Sequence, residues 1–142
     1  MNNKALSNKT FWIGWIAVYV VMQVYGYVVH EVGLSDTYQS LASVFRPREE
    51  MDSMMWMMFA SSAVTLLVFC YIFTLGHEGK GIMEGVRYGA LMGLFLSIPQ
   101  SVDSFVVYPI TGQLAVAWFV TGIVGVIIAG AVLAAIYKPG SG

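Results

Sequence analysis

Residues 114–137 read LAVAWFVTGIVGVIIAGAVLAAIY, 24 positions without a single Asp, Glu, Lys or Arg. A helix needs about 20 predominantly apolar residues to cross roughly 30 Å of hydrocarbon, so this stretch reads as a membrane span. Three more runs of similar kind precede it: Phe11 to about Val29, Met51 to about Thr74, and Ile82 to about Ile98. The third is the shortest, interrupted by Arg87 and ended by Pro99. Backbone N–H and C=O groups find no water inside a bilayer, so such spans must be helices. The period-2 polar alternation of a membrane β-barrel is absent. The expected fold is therefore all-α: an integral membrane four-helix bundle, one transmembrane domain over residues 1–142.

Composition supports that reading. The chain is 58% apolar and 11% charged, about half the charged fraction of a soluble domain. The net charge of -1 and the lack of a basic run argue against nucleic acid as a partner. Cys70 stands alone in an apolar run, without a partner for a disulfide or a zinc site, and reads as a small packing hydrophobe. Lys4 and Lys9 ahead of the first run resemble a signal peptide. That run is longer than a signal core, however, and no small-residue cleavage site follows it, so a retained first helix is expected. Pro139-Gly140-Ser141-Gly142 reads as a tail.

Lys and Arg placement sets an expected orientation. With the N-terminus cytoplasmic, Lys4, Lys9, Lys80, Arg87 and Lys138 fall inside, and only Arg46 and Arg48 outside. Five against two follows the positive-inside rule, and both termini are then cytoplasmic. Trp12, Trp15, Trp56, Tyr71, Tyr108, Trp118 and Tyr137 lie within about two turns of span ends, as interfacial anchors do. The inner connection, Leu75 to Gly81, is short and glycine-rich and predicts a tight hairpin. The outer connection, His30 to Pro47, carries Tyr38, Leu41, Val44 and Phe45 at a spacing that fits a short helix on the outer surface. Pro47 suits the opening of the second helix, and Glu49 and Glu50 complement its positive dipole end.

Small residues recur every fourth position in the last two spans: Gly85, Gly89, Gly93 and Ser97, then Ala117, Thr121, Gly125 and Ala129. Membrane helices associate by close backbone approach, which such residues permit. The two ridges predict tight packing between these spans, or self-association into a homo-oligomer.

The chemistry-bearing residues gather toward the outer side. His30 and Glu31 end the first span. Arg46 and Asp52 flank the start of the second, Gln100 and Asp103 end the third, and Tyr108 follows in the loop. Charges near hydrocarbon face one another or a wet cavity, which makes these seven a candidate ligand-binding mouth. The alternative is ordinary headgroup-level ion pairing, Arg46 with Glu49 or Glu50. Met51, Met54, Met55 and Met58 form a stripe to which His30 could add a nitrogen. Soft thioethers suit Cu(I), yet Met more often fills irregular cores, and no resident cofactor is expected. His77-Glu78 lacks the second His of a zinc protease and reads as a solvated turn, and Glu84 beside Arg87 as an ion pair. No Ser-His-Asp set, phosphate loop or dinucleotide fingerprint is present.

Val29-His30-Glu31-Val32, Arg46-Pro47, Glu84-Gly85-Val86-Arg87-Tyr88-Gly89 and Tyr108-Pro109-Ile110 together resemble a family of small bacterial inner-membrane proteins with four helices. The resemblance covers nearly the whole chain. It implies four spans and a bacterial inner membrane, and it transfers no catalytic residue. Three functions fit. The first is a non-enzymatic binding module or accessory subunit, with a ligand or partner membrane protein at the outer face. The second is a small transporter, with Gln23 and the outer carboxylates lining a path. The third is a membrane enzyme using His30 with Glu31 or Asp103.

Overall fold

A computed structural model describes residues 3–139; Gly140–Gly142 of the expected tail fall outside them. The described residues are all helix and connection, with no strand. A short α1 (Asn3–Leu6) precedes α2 (Lys9–Tyr27), which a π-helical turn extends over Val28–Gly33. The remaining helices are α3 (Ser35–Ser40), α4 (Arg48–Leu75), α5 (Ile82–Val107) and α6 (Gly112–Ile136). Four of these stretches, Lys9–Gly33, Arg48–Leu75, Ile82–Val107 and Gly112–Ile136, are long and apolar enough to cross a membrane, consistent with a multi-pass membrane protein.

Local chemistry explains the starts. Asn8 caps α2 by accepting from the Thr10 N–H at 2.9 Å, and Thr111 caps α6 by accepting from the Leu114 N–H at 3.2 Å. Pro47 stands just before α4 and its carbonyl accepts from the Met51 N–H at 3.0 Å. The third span departs from expectation. Pro99 does not end it, and α5 runs on to Val107. Proline removes one hydrogen bond, to the carbonyl four residues back, and membrane helices tolerate this loss where neighbours hold the chain straight. Here Ser97 and Ser101, on either side of Pro99, are both buried.

The tightest helix contact is between α5 and α6. A Cβ placed on Gly89 would lie 2.5 Å from the Val126 carbonyl oxygen and 2.7 Å from Ile127 Cα. Gly85 meets Gly130 backbone to backbone, and at Gly93 the same test gives 3.1 Å to Ile123 Cα. The Gly85/Gly89/Gly93/Ser97 face of α5 thus lies against α6. Gly125 looks the other way, onto α2, where the Tyr25 ring covers it with Cε1 2.7 Å from the position a Cβ would take. Helix α6 therefore uses two faces, with Gly122, Val126 and Gly130 toward α5 and Gly125 and Ala129 toward α2.

Side chains reaching to backbone carbonyls hold the other pairs. Tyr25 donates to Thr121 O at 2.7 Å between α2 and α6. Trp15 donates to Ala63 O at 3.1 Å between α2 and α4. Tyr88 donates to Phe69 O at 2.5 Å between α5 and α4. A core of Phe11, Val18, Phe69, Cys70, Phe73, Ala129, Leu133 and Tyr137 fills the end of the molecule that carries both termini. There the Lys138 carbonyl accepts from Asn8 Nδ2 at 2.7 Å and Thr10 Oγ1 at 2.9 Å, fixing the start of α2 beside the end of α6. A smaller cluster, Ile110, Leu114 and Ala115 under Leu34, Tyr38, Leu41, Val44 and Phe45, closes the opposite end. Large apolar side chains elsewhere point outward, Phe95 with 72% of its surface free and Trp56 with 67%. In water such a surface would be costly; against lipid it is the solvated state.

Candidate functional site

The end opposite the termini carries the residues singled out from sequence, in an order the sequence does not reveal. Its centre is Tyr38 on α3. The Trp118 indole N–H donates to the Tyr38 oxygen at 2.8 Å, and that oxygen lies 2.6 Å from His30 Nδ1. An indole only donates, so the phenol proton is left for His30 Nδ1, and the imidazole proton then sits on the outward Nε2. Burial raises the Tyr38 phenol above its ordinary value, the Trp118 N–H opposes this, and the Glu31 charge adds to it. Phe45 meets the Tyr38 ring edge-on, with centroids 5.4 Å apart. The π-helical turn presents His30 to this group, and π turns inserted into α-helices are often found where a side chain must be re-aimed.

The charges around this centre pair differently from the expected pattern. Arg48 grips Glu31 with two contacts, 3.0 and 3.2 Å, and also reaches Asp52 at 3.0 Å. Arg46 bonds Glu50 one turn away, one of the ion pairs anticipated as a headgroup-level alternative. Arg48, absent from the expected mouth, is thus the residue that joins Glu31 to Asp52. The third-span residues do not join. The Gln100 side chain reaches only Ser104, at 3.5 Å, and the side chains of Asp103 and Tyr108 are exposed and make no hydrogen bond or ion pair with described residues. His30, Glu31 and Asp52 are brought together through Tyr38 and Arg48; Arg46 stays local, and Gln100, Asp103 and Tyr108 sit apart at the same end.

A second polar group lies at the terminal end. His77, expected in a solvated turn, has only 7% of its side chain exposed. It packs between Phe73 and Tyr137, with ring centroids 5.1 and 5.2 Å away. Its Nδ1 lies 3.1 Å from Glu84 Oε1 without the alignment of a hydrogen bond. Glu84 does not pair with Arg87. Its carboxylate accepts from the Glu78 N–H at 2.5 Å and the Lys80 N–H at 2.7 Å. Gly79 and Gly81, at φ +75° and +77°, turn the loop so that both amides face it, a backbone only glycine adopts without strain. This knot engages both Glu84 oxygens, leaves His77 Nδ1 without a hydrogen bond, and closes the α4–α5 connection.

Among the described residues no three His, Cys, Asp or Glu side chains converge as a metal cage. His30 Nδ1 is already engaged by Tyr38, while Met58 is 67% exposed on α4. The copper reading therefore gains no nitrogen ligand from that atom. No protein-family model, curated protein or solved structure matches the chain.

Proposed function

We propose that the chain is a four-helix membrane bundle of a bacterial inner membrane with both termini cytoplasmic, acting without catalysis as a binding module or accessory subunit. Its outer polar end, built on His30, Glu31, Arg46, Arg48 and Asp52 with Gln100, Asp103 and Tyr108 exposed beside them, receives the ligand or partner. The observation that carries this reading is the charge asymmetry along the molecule. Glu31, Asp36, Glu49, Glu50, Asp52 and Asp103 stand at the loop end against Arg46 and Arg48. Lys4, Lys9, Lys80, Arg87 and Lys138 stand at the terminal end against Glu78 and Glu84. The first set sums to 2 − 6 = −4 and the second to 5 − 2 = +3, which together give the chain's −1. An outer end of that sign favours a cationic ligand or a basic partner segment.

The two rival functions receive less support. A permeation path needs free polar groups at mid-depth, and Gln23 is bonded to Ser62 across α2 and α4 at 3.0 Å. The enzyme reading pairs His30 with Glu31 or Asp103, and His30 Nδ1 is held by a phenol while Glu31 is bound to Arg48. A photo-crosslinker placed at Thr37 in native membranes tests the reading. A discrete adduct should form, and neutralising Asp36 and Glu49 together should abolish it with the melting temperature unchanged. An adduct indifferent to that neutralisation, or none at all, refutes a charge-guided outer site.

A further inference from the structure

Residues 34–45 lie over the start of α6 as a lid, strung between Gly33 and Pro47. Leu34, Tyr38, Leu41, Val44 and Phe45 cover Ile110, Leu114 and Ala115 beside Trp118. The turns of the lid are closed by bonds within it: Tyr38 N–H to Leu34 O, Leu41 N–H to Tyr38 O and Val44 N–H to Leu41 O. The side chains of Gln39 and Ser40 likewise bond inside it, to Ser35 and Thr37. Among the described residues, the side-chain hydrogen bonds that leave the lid both end on one atom. That atom is the Tyr38 hydroxyl oxygen, 2.8 Å from Trp118 Nε1 and 2.6 Å from His30 Nδ1.

Only one arrangement of protons satisfies this chain of three groups. The indole donates and cannot accept, so the phenol must give its own proton to His30, and Nδ1 must be bare to receive it. That requires a neutral imidazole. A second ring proton turns Nδ1 from acceptor into donor. Two donors then face the Tyr38 oxygen, and the phenol proton has lost its acceptor. The surrounding charges are already engaged. Glu31, next to His30 on the π turn, is held by Arg48 of α4 at 3.0 and 3.2 Å, and Asp52 shares that guanidinium. Arg46 is paired with Glu50. Helix α3 brings the Tyr38 phenol, with Asp36 two residues before it, and α6 brings only the uncharged indole. No charged side chain of α5 bonds to His30 among the described residues. His30 is exposed, so protons reach it from water. An imidazole ordinarily titrates near pH 6.5, which mild acid crosses while free carboxylates stay ionised.

We propose that residues 34–45 are an acid-released lid: protonation of His30 removes the acceptor that holds Tyr38, and the segment lifts from α6, baring Trp118, Ile110, Leu114 and Ala115. The device shares its end of the molecule with the proposed binding site but does not depend on it, because the lid is read with no ligand added. Double electron–electron resonance on the full chain in mild detergent tests it, with spin labels on Ser40→Cys in the lid and Met83→Cys at the far end, in a Cys70→Ala background. Both labelled positions are exposed. One narrow distance should dominate at about pH 8. At about pH 5 the displaced population should rise roughly five- to a hundredfold, the effect of one polar group left without a partner. His30→Asn offers an amide oxygen near the Nδ1 position and does not titrate, so its distances should stay closed at both values. Tyr38→Phe should be displaced at both. In the unlabelled wild type the Trp118 indole N–H resonance should shift with the same midpoint, which keeps the test decisive if a variant fails to fold. Distances or an indole resonance indifferent to pH in the wild type overturn the proposal. So does an acid transition that persists in His30→Asn, which would assign it to Glu31 and Asp52.

Discussion

Replacing Gly89 by Ala places a methyl group where the backbone of α6 already stands. The added carbon would sit 2.5 Å from the Val126 oxygen and 2.7 Å from Ile127 Cα, while ordinary contact begins near 3.4 Å. Neither atom belongs to a flexible side chain, so the helices must part by about 0.9 Å at this point (3.4 − 2.5). A gap of 0.5–1 Å forfeits a quarter to a half of each dispersion contact on either side, at Gly85 and Gly93 as well as at the mutated position. Overpacking of this kind costs about 1–3 kcal/mol. The assay is thermal unfolding in a fixed mild detergent, with Gly26→Ala as the internal control. Gly26 also lies within a helix, but nothing stands within 4 Å of its missing Cβ. There alanine should gain up to about 1 kcal/mol in helix propensity. The expected result is a lower midpoint for Gly89→Ala and an equal or higher one for Gly26→Ala. If both variants melt alike, the α5–α6 backbones do not touch as described and the reasoning fails.

Tyr38→Phe removes the hydroxyl shared by His30 and Trp118 and leaves a half-buried indole N–H unpaired, a loss of about 1–3 kcal/mol. Amide exchange should accelerate across residues 34–47 and stay unchanged in α5; uniform protection would show that the phenol does not tie the loop down. The same phenol should ionise above the ordinary tyrosine value of about 10. A raised value means its contribution is intact below that pH and is lost as pH climbs through the folded-state value, which the ultraviolet difference between wild type and Tyr38→Phe would read. Glu84→Gln trades one of two acceptors for an NH₂ and should expose residues 76–81 to protease; an unaltered cleavage pattern would mean the positive-φ glycines alone set that turn. For orientation, single cysteines at Ser40 and Lys80 in a Cys70→Ala background should react with impermeant reagent from the outer and inner sides respectively, and the opposite pattern would invert the proposed topology.

The long helices were legible because a long apolar run without charge has few other folds open to it, and the apolar runs at 11–29, 51–74, 82–98 and 114–137 lie within or nearly within the observed long helices. Their ends were less so. Pro99 carries a strong local stop signal, but the fate of one missing hydrogen bond depends on neighbours that a single sequence does not display. The spacing of Gly85, Gly89 and Gly93 points to a close helix contact, whereas Gly125 shares that spacing and meets α2, because which face a ridge presents depends on how the partner helix is rotated. At the polar end the charge types were readable and the pairings were not. Tyr38 and Trp118 are 80 residues apart, and Arg48 rather than Arg46 turns toward Glu31 because the two are separated by a proline that redirects the chain. His77 and Glu84 were hidden for a related reason: the loop folds back on itself through two glycines, so the nearest charge in sequence, Arg87, is not the nearest in space.

The division of contacts among the helices also bears on how the fold closes. Helix α2 packs more extensively on α6 than on α4, through Gly14 under Leu133, Tyr25 over Gly125 and the Asn8–Lys138 tie. Among the four long helices, the most N-terminal therefore has as its principal neighbour the most C-terminal. Without α6, Phe11, Val18 and Tyr25 would have α4 alone among the long helices to lean on, while α5 and α6 are adjacent in sequence and matched backbone to backbone. The α2–α6 contact closes a ring between the first and last of these long helices, so a truncation that removes α6 also deprives α2 of its main partner.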